Sequence, residues 1–361
     1  MKLLKPDFYD NFVCIASRCR DTCCAGWEIE VDEETLKKYR EVPGNFGRLL
    51  RSRISEEEDG AYFTLAPGRR CPFLNERNLC EIYLQLGEDM LCDICREHPR
   101  FYQWFGDYTE AGLGLCCEEA CRLLFQRKEP LRFVLEEQGD GAEEEDPLLK
   151  PLLAARERLF SILQNRTYSM DQRMAAALKF AERLDPPVRQ EDTEEILKLA
   201  GTDPESWLKA AGTERSWYGS RQEILKLLET YRDLESLDGT WGGRMESLMG
   251  QLPELMEQRR VFLEAFRNRE YEYEHLAVYV LYRYFLESLF DGCVLPPVRF
   301  AAASLLILQL MDTRLWLEKG GFSEADRIFT VKLYSKEIEY CPENMEVIRQ
   351  FLEEESGKDE R

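Results

Sequence analysis

Cysteines are concentrated at one end of the sequence, where 11 of the 13 lie within the first 121 residues. They form four groups: Cys14, Cys19, Cys23 and Cys24; Cys71 and Cys80; Cys92 and Cys95; and Cys116, Cys117 and Cys121. A thiolate is a soft ligand that suits zinc or an iron–sulfur cluster, and two thiols can also bridge each other. The grouping therefore predicts a structural metal, an iron–sulfur cluster or a set of disulfides in this region.

The expected compartment favours metal over disulfides. Pro6 and Asp7 interrupt the N-terminus before any apolar run of signal-peptide length. The most apolar window, Phe300 to Met311, is too short to span a bilayer and is flanked by charges, so it predicts a buried helix. We therefore expect a soluble cytoplasmic protein, in which thiols stay reduced and clustered cysteines usually bind metal. Disulfides remain the alternative, because some of these cysteines could be redox-active.

The charge of the chain argues against two classes of partner. With 48 basic and 69 acidic residues, the net charge is −21, whereas surfaces for nucleic acid or anionic membrane depend on Lys and Arg. We expect neither kind of partner. The acidic surface is compatible with a lysine-bearing protein partner, although solubility alone also explains it.

The spacing of the thiols differs from the common cysteine motifs. Cys92 and Cys95 form the one CxxC motif, whereas a zinc ribbon carries two. The CxxCxxC run of bacterial ferredoxins is absent from the sequence. Cys19 and Cys23 match the first half of the CxxxCxxC motif of radical-SAM enzymes, but the next cysteine, Cys24, comes two positions too early. We therefore expect no radical-SAM barrel.

Short elements must position these cysteines. The predictions are a helix over residues 31–39 with Asp32 as its N-cap, a strand over 61–65, a turn at 75–78 and an extended piece at 104–108. The turn places Cys71 and Cys80 on the two arms of a small hairpin. Little of this region can bury a core unaided, so we expect a metal to organise it.

The second part of the chain reads as helical. Residues 136–147 form a glycine- and acid-rich break, predicted to link a cysteine-rich metal-binding domain (1–135) to an all-α domain (148–361). Capping residues and periodicity predict helices at 169–184, 193–201, 220 onwards, 244–268, 271–290, 297–318 and 323–340. The predicted fold class is mainly α: an irregular cysteine-rich N-terminal region with little β, followed by an all-α helical bundle.

An aromatic stretch runs from Tyr271 to Phe285. Aromatic rings attract ammonium and sulfonium cations, which raises the idea of a cation cage. These rings recur at helical spacing with Leu276, Val280 and Leu281, which favours packing between helices. We accordingly interpret His275 as a helix histidine with satisfied hydrogen bonds rather than as a base.

Several blocks of the sequence resemble the flagellin lysine N-methylase family. The blocks are FVCIASRCRDTCCAGW, CPFLNERNLCEIY, CREHPR and LCCEEACRLL, which cover roughly residues 8 to 125, and more loosely LYSKEIEYCPENMEVI. The family is related to proteins named for a CxxCxxCC motif and described as a zinc- or iron-chelating domain. The resemblance implies an iron–sulfur protein, of the 4Fe–4S kind, that transfers methyl groups from S-adenosylmethionine to lysine side chains of flagellin.

The resemblance also implies a set of metal ligands. Position by position it assigns Cys14, Cys19, Cys23, Cys24, Cys71, Cys80, Cys95 and Cys117. Cys92, Cys116 and Cys121 fall outside the pattern. The chain departs from the family at two further places, with His98 where the family usually has Tyr and Cys116 where it usually has Ser. These departures leave open which thiol near residue 92 or 116 is a ligand.

Eight thiols exceed the four that one 4Fe–4S cluster needs. Either two metal sites exist, or one cluster is bound and the other thiols are structural or redox-active. The preferred ligand core is Cys19, Cys23 or Cys24, Cys71, Cys80 and Cys95. Because Cys23 and Cys24 are adjacent, their side chains need not point at the same metal.

Three residues beside the thiols are candidates for cofactor contacts. Trp27 is expected either to shield the cluster from water or to anchor a loop in the core. Arg100 is expected to pair with the carboxylate of S-adenosylmethionine, or else to form a structural salt bridge. His98 is a candidate metal ligand, although thiols are already in excess.

Two functions remain open at this point. The first is a cluster-dependent protein-lysine methyltransferase that uses S-adenosylmethionine. The second is a non-catalytic zinc- or iron-binding module for structure, sensing or metal delivery. The sequence shows no glycine-rich loop after a strand, so we do not expect the usual S-adenosylmethionine fold, and the catalytic base stays unassigned.

Overall fold

Helices dominate the computed structural model, which describes residues 2–26, 29–57, 60–137, 146–211, 217–237 and 239–356. Helix accounts for 63% of the structure and strand for 10%, which confirms the predicted mainly α class. The prediction of an irregular N-terminal region is wrong in part, because this region contains two small sheets. Metal binding by this region stays a prediction.

The N-terminal region alternates short strands and short helices. Its elements are β1 (Lys2–Pro6), α1 (Glu33–Glu41), α2 (Gly44–Ser52), β2 (Ile54–Glu56), β3 (Ala61–Phe63), α3 (Glu81–Leu86), α4 (Asp93–Glu97), β4 (Arg100–Phe105), β5 (Tyr108–Leu113), α5 (Glu118–Gln126) and β6 (Phe133–Glu137). Asp32 caps α1 as predicted, because its carboxylate accepts a hydrogen bond from the Thr35 N–H at 2.9 Å. The extended piece predicted at 104–108 is interrupted at Gly106, where the chain turns from β4 into β5.

Four strands form a sheet in the order β4-β5-β1-β6. Strand β1 runs parallel to β5, with Leu3 opposite Thr109, and antiparallel to β6, with Leu3 opposite Glu136. The pairing joins the start of the chain to strands more than 100 positions later, so it leaves no local signal in the sequence. Most of the predicted linker, residues 138–145, lies outside the described residues, and the predicted domain boundary stays a prediction.

The second part of the chain is helical throughout the described residues. Its helices are α6 (Leu149–Leu163), α7 (Met170–Arg189), α8 (Thr193–Ala200), α9 (Pro204–Ala211), α10 (Arg221–Arg232), α11 (Trp241–Gly250), α12 (Leu252–Ala265), α13 (Tyr271–Tyr284), α14 (Ser288–Asp291), α15 (Leu295–Lys319), α16 (Glu324–Glu337) and α17 (Pro342–Ser356). The predicted caps are confirmed, since Ser169, Ser220 and Ser323 each form a capping box.

Two predicted helix boundaries are wrong. Helix α7 continues through Pro186 and Pro187 to Arg189 instead of ending at residue 184. The Asp185 carboxylate ties this end of α7 to α15, because it accepts hydrogen bonds from two backbone N–H groups at the start of α15, at 2.8 and 3.0 Å. The helix predicted over 244–268 is divided at Gln251 into α11 and α12, and a proline follows in the first turn of α12.

The described residues form two hydrophobic cores. The larger one joins the four-stranded sheet to the helices of the second part. The hydroxyl of Tyr282 in α13 lies 2.8 Å from the Leu4 carbonyl oxygen and 2.9 Å from that of Ala111. Its ring stacks on Phe133 of β6 at 4.4 Å between centroids. The aromatic stretch of α13 is therefore core packing, as predicted, and the smaller core lies around the cysteines between residues 29 and 95.

Helix α15 contains the apolar window at Phe300 to Met311. The helix has 25 residues and by length and composition is long and apolar enough to cross a membrane, so the prediction that it is too short is wrong. Of its most apolar window, 78% is buried inside the protein. The prediction of a buried core helix is confirmed.

Candidate metal centre

The cysteine loop, residues 14–26, is tied by backbone hydrogen bonds to the segment that carries the next cysteine. The Cys71 N–H donates to the Cys24 carbonyl oxygen at 2.9 Å, and the Gly26 N–H donates to that of Arg69 at 2.9 Å. Gly26 adopts a φ of +100°, which favours glycine, so the chain can turn directly after the adjacent cysteines. This pairing places Cys24 beside Cys71.

The predicted hairpin between the second pair of cysteines is present. Leu74 forms an isolated antiparallel bridge with Cys80. The Asn75 side-chain oxygen stabilises the turn by accepting hydrogen bonds from the N–H groups of Arg77 and Leu79, at 2.9 and 3.1 Å. Cys80 then precedes α3, so the hairpin carries its thiol back towards the first arm.

Helix α4 carries the third pair of cysteines. Cys92 is its N-cap residue and Cys95 lies one turn later, with the two Sγ atoms 3.6 Å apart. Two thiolates on one tetrahedral zinc, each bonded at about 2.3 Å, are about 3.8 Å apart. The second carboxylate oxygen of Asp32 accepts a hydrogen bond from the Asp93 N–H at 2.9 Å, so one carboxylate fixes the starts of α1 and α4.

Five thiols meet in the smaller core, and we refer to them as the first thiol group: Cys24, Cys71, Cys80, Cys92 and Cys95. Cys71 and Cys92 are buried and the other three are half-buried. Burial, reinforced by the neighbouring thiols Cys80 and Cys92, raises the pKa of Cys71 to about 12. A hydrogen bond with Cys92 and burial also raise the pKa of Cys95. The thiols of Cys71 and Cys95 therefore stay protonated unless a cation is bound beside them, as is typical of thiols in a metal site.

The first thiol group has the donor atoms that a metal site needs, but its side chains are not arranged in a coordination geometry. In the part of the chain that the structure describes, no three His, Cys, Asp or Glu side chains are grouped closely enough to hold a metal ion as they stand. All 13 cysteines carry free thiols. Five soft donors inside one small core supply the four thiolates of an iron–sulfur cluster or a zinc site with one to spare.

A second group lies where the cysteine loop meets the helical part, and we refer to it as the interface group: Cys23, His98 and Cys116. The Cys116 Sγ lies 3.7 Å from the His98 Nε2. The Cys23 thiol interacts with the Cys24 thiol and with the His98 ring. All three side chains line one small cavity, together with Lys336 and Tyr340. The adjacent residues Cys23 and Cys24 thus belong to different groups.

The other thiols predicted as ligands lie elsewhere. Cys14 is exposed. The Cys19 thiol lies 3.7 Å from a carboxylate oxygen of Glu118. Cys117 is half-buried as the N-cap residue of α5, where burial raises its pKa to about 12. Of the preferred ligand core, the structure therefore brings together Cys24, Cys71, Cys80 and Cys95, and adds Cys92, whose CxxC spacing was the available signal.

Three further residues singled out from the sequence are Trp27, Arg100 and His275. Trp27 lies outside the described residues. The Arg100 guanidinium lies over the rings of Tyr9 and Phe12, at 5.7 and 5.2 Å from their centroids, and its contact with a substrate carboxylate stays a prediction. His275 is buried with both ring nitrogens 3.0 Å from backbone carbonyl oxygens, so its interpretation as a hydrogen-bonded helix histidine is confirmed.

Helix α16 holds the cysteine loop against the helical part. The Lys336 ammonium lies 2.6 Å from the Asp21 carboxylate and 2.9 Å from the Thr22 carbonyl oxygen, and Lys332 lies 3.3 Å from the same carboxylate. Burial alone would raise the pKa of Asp21, but the two ammonium groups lower it to about 2. Sequence reasoning assigned no role to these lysines, although Lys336 belongs to the LYSKEIEYC motif.

Comparison with known proteins finds similarity to lysine N-methylases and to a flagellar biosynthetic protein. A family model described as the FliB lysine N-methylase C-terminal domain matches residues 156–360, which is more than half of the chain. The lysine-N-methylases of Salmonella choleraesuis (strain SC-B67) and Salmonella typhimurium (strain LT2) are each 27% identical over 193 residues, covering 49% of this chain and 46% of the relative. The flagellar biosynthetic protein FliU of Salmonella muenchen is 31% identical over 123 residues, covering 32% of this chain and 72% of FliU.

The matches to the two lysine-N-methylases cover only part of each relative. The aligned part spans about half the length of the two Salmonella lysine-N-methylases. No solved structure matches the chain.

Proposed function

The chain belongs to the flagellin lysine N-methylase family, and on this premise we propose that it is a protein-lysine N-methyltransferase whose substrate is flagellin. The observation that carries the proposal is the family match over residues 156–360. The names of the relatives, lysine-N-methylase and flagellar biosynthetic protein, support both the reaction and the substrate. We further propose S-adenosylmethionine as the methyl donor.

An iron–sulfur cluster is the cofactor that we propose for the first thiol group. Cys71, Cys80, Cys92 and Cys95 would hold it, and Cys24 lies beside Cys71. The support is the donor set, because these thiols share one small core. If three of these thiolates bound the cluster, one iron would stay open to position S-adenosylmethionine.

The protein's own residues would perform the remaining tasks. Methyl transfer to lysine requires that the ammonium lose its proton, that the amine be aligned with the methyl group and that water be excluded. Arg100, which lies on β4 close to His98 in sequence, would pair with the carboxylate of the donor. The chain's net charge of −21 would attract a lysine-bearing substrate.

A second function is favoured by one feature of the same site. Cys71 is 7% exposed and Cys92 is 1% exposed, and enclosed thiols of this kind are typical of a structural metal site. A non-catalytic zinc- or iron-binding module would therefore also explain the first thiol group. Methyl transfer distinguishes the two functions, since only the enzyme modifies flagellin.

The test is a methylation assay on the full chain, purified without oxygen. Flagellin is incubated with the protein and with S-adenosylmethionine that carries an isotopically labelled methyl group. The methyltransferase predicts label on flagellin lysines, located by mass spectrometry after digestion. A flagellin whose exposed lysines are chemically blocked is the control and should take up no label. A protein that retains iron and sulfide but transfers no label to flagellin would contradict the proposed function.

A further inference from the structure

The interface group is a second cluster of metal-ligating side chains, and it adjoins the first thiol group where the Cys23 thiol meets the Cys24 thiol. Its members come from three segments: Cys23 from the cysteine loop, His98 from the end of α4 and Cys116 from the segment before α5. The Cys116 Sγ and His98 Nε2 are 3.7 Å apart, and the Cys23 thiol interacts with the same ring. Two ligand atoms on one tetrahedral zinc, bonded at about 2.0–2.3 Å, are separated by about 3.5 Å.

The surroundings of the group suit a metal with bound thiolates. Tyr340 forms a hydrogen bond with the Cys116 thiol, and such a partner orients a metal-bound sulfur. The Tyr340 hydroxyl packs directly on the backbone of Gly114, where a Cβ atom would collide with it. The Lys336 ammonium borders the same cavity.

We propose that Cys23, His98 and Cys116 bind one zinc ion, with the fourth coordination position facing the cavity bordered by Lys336 and Tyr340. Two thiolates neutralise the charge of the ion, and one imidazole completes a Cys2His set of the kind found in zinc sites that keep one exchangeable position. The Cys23 thiol must turn from Cys24 towards the ring to complete the site, because no three ligands converge among the described side chains.

The proposal is independent of methyl transfer, and it would stand if the proposed function failed.

Metal analysis of the full chain tests the proposal. Protein purified without oxygen is dialysed against zinc chloride, then freed of excess metal, and its zinc, iron and sulfide are measured. The wild type should hold one zinc per chain. The variants His98→Tyr and Cys116→Ser should lose that zinc and keep the iron and sulfide of the wild type. The variant Cys80→Ser should keep the zinc and lose the iron.

Cobalt gives a spectroscopic check on the same variants. Cobalt chloride added to zinc-free wild type should produce an absorption from cobalt–thiolate bonds that is absent in Cys116→Ser. Thermal melting of each variant verifies that it is folded. Equal zinc in wild type, His98→Tyr and Cys116→Ser would overturn the proposal, as would a wild type that takes up neither zinc nor cobalt beyond the Cys116→Ser level. A disulfide between Cys23 and Cys116, found by thiol counting, would also overturn it.

Discussion

The ammonium of Lys336 lies 2.6 Å from the carboxylate of Asp21, which is 315 positions earlier in the chain. This ion pair joins α16 to the loop that carries Cys19, Cys23 and Cys24. The side chain of Lys336 is 18% exposed and that of Asp21 is 43% exposed, so the pair is partly shielded from water. The helical part therefore determines where the cysteine loop lies.

Lys336→Met should loosen the cysteine loop. Methionine keeps the length of the side chain but removes its hydrogen bonds to Asp21 and Thr22, and hydrogen bonds to charged groups stabilise a protein by about 1.5–3 kcal/mol. Because Asp21 is partly exposed, we expect a loss near the lower end, measured by urea unfolding. Lys198→Met, which removes an exposed surface pair with Glu195, is the matched control and should cost less than about 1 kcal/mol. Equal losses in the two variants would show that α16 does not hold the loop.

The ion pair also predicts a pH dependence. The pKa of Asp21 is lowered to about 2, below its ordinary value of 3.8. The stability that this carboxylate contributes is therefore fully present above about pH 4 and is lost as the pH falls towards 2. The difference in unfolding free energy between wild type and Asp21→Asn should shrink over this range. A difference that stays constant from pH 6 to pH 3 would contradict the assignment.

A buried ion pair fastens the sheet to the helices. The guanidinium of Arg156 in α6 hydrogen-bonds to the Glu110 carboxylate of β5 at 2.8 Å, and both side chains are almost completely buried. Glu110→Gln would leave the buried guanidinium without a countercharge, so we expect a loss of about 3–5 kcal/mol in chemical unfolding. The double variant Glu110→Leu with Arg156→Met should be clearly more stable than Glu110→Gln. The reverse order would show that packing, not charge, dominates there.

Gly114→Ala should disturb the interface group. A Cβ atom at this position would collide with the Tyr340 hydroxyl, and overpacking of this kind typically costs about 1–3 kcal/mol. Gly243→Ala in α11 is the control, because its Cβ would enter open space and alanine favours a helix by about 0.5–1 kcal/mol. Thermal melting should rank Gly114→Ala below wild type and Gly243→Ala at or above it. An unchanged melting temperature for Gly114→Ala would mean that the Tyr340 hydroxyl is not confined.

Local signals in the sequence predicted local structure well. The three serine caps, the Asp32 cap and the hairpin turn at Asn75 all depend on hydrogen bonds between residues at most four positions apart. Features that depend on distant residues were missed. The pairing of Leu3 with Thr109 is one example, and the continuation of α7 through two prolines, which relies on contacts with α15, is another.

For the candidate site, too, the sequence predicted the local features and missed the contacts between distant residues. The sequence pointed to the cysteines and to their crowding, because residue type and spacing are visible in one dimension. It indicated that Cys23 and Cys24 need not share a metal, but it did not show which side chains each of them contacts, because those contacts follow from the turn at Gly26 and from the position of His98. The role of Lys336 was equally hidden, since its partner lies at the other end of the chain.

The most direct test of the cluster-dependent methyltransferase compares two cysteine variants. Cys80→Ser removes a thiol of the first group, whereas Cys293→Ser changes a buried cysteine of the helical part. Both proteins are purified without oxygen, analysed for iron and sulfide, and assayed for transfer of labelled methyl groups from S-adenosylmethionine to flagellin. We predict that Cys293→Ser keeps the iron, the sulfide and the transfer rate of the wild type, and that Cys80→Ser loses all three. Transfer at the wild-type rate by Cys80→Ser without iron would contradict the account.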